Sequence, residues 1–284
     1  MGHLSAKFDS MGNQFQKQRY EHKYIISEQQ ALAVREFVQS YLSLDDFGAT
    51  QPNNSYPVHS LYLDSDDLRL YRSTINGDKN RYKLRLRFYE NREKAPVYFE
   101  IKRRTDNTIS KLRAGVHREV VDRVLQGEIP RAEEMVSLDP GQMAAIQEFV
   151  RLMESIQANP KAHVAYLREA WVSQESNSVR VTLDRDVCCD PEPTARLCAE
   201  MLNPVTVFGD RVILELKFTN RYPEWFRLLV ETFGLMQEGA AKYVDGVDLI
   251  GAGNVRRAFA FEGRSPSGKE GQSMDSNSLA AGYV

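Results

Sequence analysis

Arg81-Tyr82-Lys83-Leu84-Arg85-Leu86-Arg87-Phe88 is the stretch on which the fold turns. Its even positions are apolar and its odd positions are all basic, a period of two that specifies a β-strand with two unlike faces. Four like charges at i, i+2, i+4 and i+6 repel one another unless an anion lies among them. A solvated face of a one-sided sheet would explain one such strand. The same parity, however, returns along the chain. Val97, Phe99 and Ile101 alternate with Tyr98, Glu100 and Lys102, and Val212, Leu214, Leu216 and Phe218 alternate with Glu215 and Lys217. Arg168 stands opposite in parity to Leu167 and Glu169, and Arg180, Thr182 and Asp184 alternate with Val179, Val181 and Leu183. Glu-x-Lys occurs on three strands, at Glu21–Lys23, Glu100–Lys102 and Glu215–Lys217. Repeated on one face, it predicts a shared polar lumen whose carboxylates hold a divalent cation and whose Lys and Arg hold phosphates. The apolar faces would then point outward, under helices.

Outward from this stretch, eight strands are expected, mostly antiparallel neighbours, the number at which a sheet closes around one small lumen. They are read at Arg19–Ile26, Val58–Asp64, Arg81–Glu90, Ala95–Arg104, Lys111–Val121, His163–Ser173, Ser178–Asp186 and Arg211–Thr219. Ser27 with Gln30 forms a capping box opening a helix to about Tyr41. A short helix is expected near Asp66–Ser73. Asp139–Pro140 is an N-cap followed by proline at the first helical position, opening a helix to about Gln157. Two helices, about Pro223–Phe233 and Gly239–Leu249, close the domain. The fold class is therefore α+β, one domain over 19–261 with a helical excursion at 122–160. Residues 1–18 and the Gly/Ser-rich 262–284 are expected to be disordered.

Composition narrows the function. With 42% apolar and 27% charged residues the chain is of ordinary globular type. No apolar run approaches the roughly 20 residues that cross a bilayer, and the N-terminus lacks a secretory apolar segment, so a cytoplasmic protein is expected. The net charge of −2 argues against a general polyanion binder, yet it conceals a sharp segregation. From Lys79 to Arg123 there are fourteen basic residues against six acidic ones, a surplus of eight in one segment. Something anionic is received in one place.

The residues quoted resemble, in order, those of the VTC (vacuolar transporter chaperone) domain, the polyphosphate polymerase branch of the triphosphate tunnel metalloenzymes, or CYTH-like superfamily. RYEHKYII, SLYLDSDD, KLRLR, FEIK, YLREAW, VRVTLD, LELK and KYVDGV follow one another across about residues 19–250. The resemblance implies an eight-stranded antiparallel tunnel that binds a nucleoside triphosphate with a divalent metal, Mn²⁺ or Mg²⁺. It implies transfer of the γ-phosphate of ATP to inorganic polyphosphate. Carried over by motif, Lys23, Arg85, Arg87, Lys102, Arg168, Arg180 and Lys217 would act on the reacting phosphates, with Lys111 and Lys242 as further phosphate ligands. The basic row adds Lys83. Glu215 would be the metal carboxylate, with Glu100 and Glu21 as further candidates. One departure matters: the superfamily opens with Glu-x-Glu-x-Lys, and here Arg19 stands two before Glu21. That removes a carboxylate and adds a cation, which disfavours simple triphosphate hydrolysis and suits a longer polyanion. A triphosphate or short-polyphosphate hydrolase and a non-catalytic polyphosphate- or nucleotide-binding module stay open as alternatives.

Other signals are weaker. Gly263-x-x-x-x-Gly268-Lys269 approximates a P-loop, but Glu270 replaces the hydroxyl residue that would hold Mg²⁺. Asp64-x-Asp66-Asp67 lacks the glycine and distal Glu of a calcium loop, and Asp64 or Ser65 reads better as a helix cap. His22, His59, His117 and His163 are scattered through strands, where packing explains them. Cys188, Cys189 and Cys198 have no base partner or zinc spacing and read as incidental thiols in one loop. Tyr62, Tyr89 and Tyr98 could stack bases, but the acidic remainder of the chain and the lack of an RNP motif argue against nucleic acid.

Overall fold

The computed structural model describes residues 19–174 and 178–261. Eight long strands carry the alternation: β1 (Arg19–Ile26), β3 (Ser55–Asp64), β4 (Asn80–Phe88), β5 (Val97–Thr105), β6 (Thr108–Val116), β7 (Asn159–Val172), β8 (Val179–Pro191) and β10 (Val212–Thr219). Two-residue strands, β2 (Ser43–Leu44) and β9 (Val205–Thr206), lie alongside β7 and β8. The ring runs β7-β3-β4-β5-β6-β1-β10-β8, and a β7–β8 pairing closes it into an antiparallel barrel. Seven helices flank it among the described residues: α1 (Glu28–Val38), α2 (Arg69–Ile75), α3 (Val121–Leu125), α4 (Pro140–Ser155), α5 (Glu224–Thr232), α6 (Lys242–Ile250) and α7 (Ala252–Phe261).

The parity of β4 determines which way each face turns. Leu84, Leu86 and Phe88 are buried on the outside, against Phe99 and Ile101 of β5 and Ile146 and Phe149 of α4. Phe149 meets Phe99 edge-on with ring centroids 4.9 Å apart. Elsewhere, α1 and α5 cover the apolar faces of β1, β8 and β10, and α6 covers those of β7 and β8. Burying each large apolar side chain is worth about 1.5–3 kcal/mol. The opposite orientation would put arginines under α4. The polar faces therefore turn inward.

The helix starts follow their caps. Ser27 and Gln30 form the reciprocal capping box of α1, and Asp139 accepts from Gly141 N at the start of α4. Asp64 and Ser65 do cap α2, but from a distance. Asp64 accepts from Leu70 N and Tyr71 N, and Ser65 Oγ accepts from Arg69 N. The helix accordingly starts at Arg69 rather than near Asp66, after Leu68 with φ of 58°.

Three expectations need correction. The strand read at Lys111–Val121 ends at Val116, because Val120, Val121 and Val124 turn at helical spacing into the α4 core. A third helix, α7, follows α6. Cys188 and Cys189 lie within β8 rather than a loop, with Cys189 buried. His59 and His163 pack as a pair on the outer faces of β3 and β7, with ring nitrogens 3.1 Å apart. Burial pushes both down to about 4, so neutral rings share the bond. The termini and the Gly263–Lys269 motif lie outside the described residues. No helix among the described residues is long and apolar enough to cross a membrane.

Candidate active site

All eight long strands turn side chains into one cavity of about 1640 Å³. Every cation singled out in the sequence lines it: Lys23, Lys83, Arg85, Arg87, Lys102, Lys111, Arg168, Arg180, Lys217 and Lys242. Glu21 and Glu215 line it as well, whereas Glu100 is fully buried. Strand register sets who meets whom. On β1 and β10, Glu21 faces Lys217 and Lys23 faces Glu215, an alternating pattern of opposite charges. Across β4, β5 and β6 the order is Arg85–Glu100–Arg113, and the next inward row is Lys83–Lys102–Lys111.

Two clusters result. Around Glu215 stand Lys217 at 2.6 Å, Lys242 at 3.2 Å, Arg168 at 3.3 Å and Lys23 at 3.5 Å. Thr182 Oγ1 donates to the same carboxylate at 3.1 Å. Burial opposes ionisation of Glu215, but Lys217, Lys242, Lys23 and Arg168 outweigh it and hold the carboxyl well below its ordinary range. Around Glu100 stand Lys111 at 2.6 Å, Arg85 at 2.7 Å, Arg113 at 3.5 Å and Arg87 at 3.9 Å. Glu21 joins the two clusters, 3.0 Å from Lys102 and 3.3 Å from Lys23. Arg180 is held at the side by Asp45 at 3.0 Å.

Lys83 differs from the other lysines of the lumen. It lies opposite Lys102, and no described carboxylate pairs with it. Burial first, then Lys23, Lys102 and Arg81, push its ammonium down to about 7, with Asp245 of α6 acting weakly the other way. An arriving phosphate favours the charged form and raises it again, so binding above that pH takes up a proton. Between about pH 7 and the ordinary lysine value near 10.4, Lys83 is neutral in the empty site and would be charged with phosphate beside it. Affinity for metal-free inorganic tripolyphosphate should therefore fall as pH rises through that window, by up to about tenfold per pH unit from this one proton. Titration calorimetry on the wild type and Lys83→Met should show the steeper loss in the wild type. Equal slopes would show that Lys83 does not meet the tripolyphosphate.

Sequence reasoning passed over several participants. Asp184 grips Arg168 through two bonds of 2.7 Å and Lys242 at 2.7 Å. Tyr166 accepts from Arg87 at 3.0 Å, Tyr62 accepts from Arg85 at 3.1 Å, and Arg113 stacks on Tyr98 at 3.5 Å. Parity could have found most of them. Parity sets Asp184 on one face with Arg180 and Thr182 but attaches no role to it, while Tyr166 precedes Arg168 by two and Arg113 follows Lys111 by two.

A closed eight-stranded barrel with a cation-lined lumen is the architecture of a tunnel protein. The sequence matches the VTC domain family over residues 18–250, and the chain belongs to that family. Membership supports a function of the triphosphate-tunnel type, directed at phosphoryl groups or polyphosphate. Solved structures similar to this chain include a putative adenylate cyclase from Bacillus halodurans, 15% identical, with 79% of this chain and 94% of that chain covered and a TM-score of 0.44. A putative adenylate cyclase from Vibrio parahaemolyticus is 10% identical over 79% of this chain and 97% of its own, with a TM-score of 0.39. A protein from Pyrococcus horikoshii is 12% identical over 80% and 96%, with a TM-score of 0.42. No curated protein sequence matches the chain.

Proposed function

We propose that this protein is a polyphosphate polymerase that passes the γ-phosphoryl group of ATP to the end of an inorganic polyphosphate chain inside the barrel. The observation that carries this reading is the inward row Lys83–Lys102–Lys111, together with Arg81 opposite Arg104. Glu21 and Glu100 pair with Lys102 and Lys111, but no described carboxylate pairs with Lys83, Arg81 or Arg104. Like charges directly opposite on neighbouring strands are destabilising unless an anion lies among them. The cavity of about 1640 Å³ also exceeds the roughly 300–1,000 Å³ usual for one small ligand, which leaves space for a triphosphate and a chain end.

Phosphoryl transfer needs positioning and charge stabilisation more than covalent chemistry from the protein. Arg85 and Arg87 would bring guanidinium charge to phosphate oxygens, and Lys23, Lys217, Lys242 and Arg168 surround the Glu215 pole. A phosphate acceptor suits this lining better than water. A terminal phosphate oxygen is already anionic near neutral pH, whereas water needs a base. The described lining contains no histidine. Glu21 and Glu215 are ion-paired and held below the usual carboxylate range, and a bound phosphate would restore the charge of Lys83.

The described residues include no group of three or more His, Cys, Asp or Glu side chains placed to cage a metal. The donor set fits a divalent ion held as Mg²⁺ usually is, by one or two carboxylates plus substrate phosphates and water. Glu215 and Glu21 would hold it, and when bound it would neutralise charge developing on the phosphates.

Purified protein incubated with ATP and Mg²⁺ or Mn²⁺, then resolved on a gel, should yield long-chain polyphosphate. Arg85→Ala combined with Arg87→Ala should weaken ATP binding at least about a hundredfold, since each charge-assisted bond is worth about 1.5–3 kcal/mol. Free phosphate as the only product would make the protein a hydrolase, and binding without turnover would make it a binding module.

A further inference from the structure

We propose that Glu100 is a positioning residue, an internal counter-ion that arranges Arg85, Arg87, Lys111 and Arg113 for phosphate, and not a ligand of the metal. The proposal rests on the phosphate-binding reading above. The Glu100 side chain has no exposure, whereas those of Glu215 and Glu21 keep 6% and 8% and line the cavity. All four of its cations do line the cavity, so Glu100 lies behind the layer that substrate would touch. A divalent ion shared with substrate needs a carboxylate oxygen reachable from the substrate side, and here guanidinium and ammonium groups occupy that side.

The bonding is unbalanced in a way that suits a counter-ion. Arg85 engages one carboxylate oxygen as a fork, with Nε at 2.8 Å and Nη2 at 2.7 Å. The other oxygen has Lys111 Nζ at 2.6 Å but receives no well-directed hydrogen bond. Nε and Nη2 of Arg113 are buried and likewise unbonded. One carboxylate thus gathers four cations by charge while leaving donors unused. That surplus positive charge, carried by side chains that line the cavity, is what phosphate oxygens would meet.

The test compares wild type, Glu100→Gln, Glu100→Asp and Glu215→Gln, with inorganic tripolyphosphate as the probe and melting temperature and calorimetry as readouts. Glu100→Gln keeps the shape and removes the charge. Without ligand its melting temperature should fall by several degrees. The rise on adding metal-free tripolyphosphate should exceed that of the wild type, because phosphate charge replaces the missing carboxylate. A damaged fold would lower the melting temperature without enlarging this response. Glu100→Asp, which retains the charge, should recover part of the ligand-free loss. The Mn²⁺ concentration that half-maximally strengthens tripolyphosphate binding should be unchanged in Glu100→Gln and raised in Glu215→Gln. A several-fold higher Mn²⁺ requirement in Glu100→Gln would overturn the proposal and make Glu100 a metal ligand. A tripolyphosphate response no larger than that of the wild type would overturn it too. If Glu100→Gln does not fold, Glu100→Asp carries the Mn²⁺ comparison, with an unchanged requirement expected. A wild type that binds no tripolyphosphate would instead defeat the phosphate-binding reading itself.

Discussion

Glu215→Gln is expected to abolish metal-dependent phosphoryl transfer and to lower the melting temperature of the ligand-free protein by roughly 10 °C. A near-isosteric exchange at an exposed position would leave stability almost unchanged. The surroundings of Glu215 say otherwise, because four cations lie within 3.5 Å of its carboxylate and the side chain is only 6% exposed. Removing one partner from a buried ion pair leaves uncompensated charge and costs about 3–5 kcal/mol. A kilocalorie moves the melting temperature of a domain of this size by about 2–4 °C. Tripolyphosphate should restore much of the loss by supplying negative charge to Lys23, Lys217, Lys242 and Arg168. Turnover should stay absent even then, because the carboxylate that would place the metal is gone. A folded Glu215→Gln protein with normal metal-dependent turnover would remove Glu215 from the site.

Tripolyphosphate and longer chains should raise the wild-type melting temperature by several degrees, and orthophosphate at equal phosphorus concentration should do far less. A ligand that binds only the folded state stabilises it by RT ln(1 + [L]/Kd), about 2.7 kcal/mol at a hundredfold excess over Kd. The lining explains the length dependence. Lys83, Lys102 and Lys111 form a row across three strands, and Arg81 and Arg104 face each other next to it. One phosphate would reach part of that row, whereas a chain would reach all of it. A flat basic surface would behave differently, responding to heparin or DNA as well and losing most of the response in moderate salt. Equal shifts from DNA and tripolyphosphate, both erased by salt, would overturn the lumen reading.

Much of the barrel was legible because its signals are local. The strand parity of β4 follows from backbone pleating, and the starts of α1 and α4 follow from side chains within three residues of each cap. Legibility failed where a distant core decided. Val120, Val121 and Val124 continue an apolar pattern that also fits a strand, and only α4 packed over β6 makes a helical turn the better burial. At the site, residue types and their common face could be read, but partners could not. Asp184 holds Arg168 because the register of β7 with β8 sets them opposite. Lys242 reaches both Asp184 and Glu215 from the start of α6, an approach no strand pattern encodes.

The sequence by itself determined which side chains share a face, because the period of two is a property of each strand alone. It thereby determined that Arg81, Lys83, Arg85 and Arg87 stand together on one side of β4 and Leu84, Leu86 and Phe88 on the other. Only the tertiary structure decided that the charged face is the inside of a closed ring and not a solvated surface, since closure depends on β7 meeting β8 and on β1 meeting β6 at Arg19 and Ile109. It also separated three copies of one motif. Glu-x-Lys reads alike at Glu21, Glu100 and Glu215, yet two of these carboxylates line the cavity and Glu100 is sealed behind four cations. The physical reason is that a motif sets the direction of a side chain, while its solvent and its counter-charges come from other strands brought alongside by register and curvature.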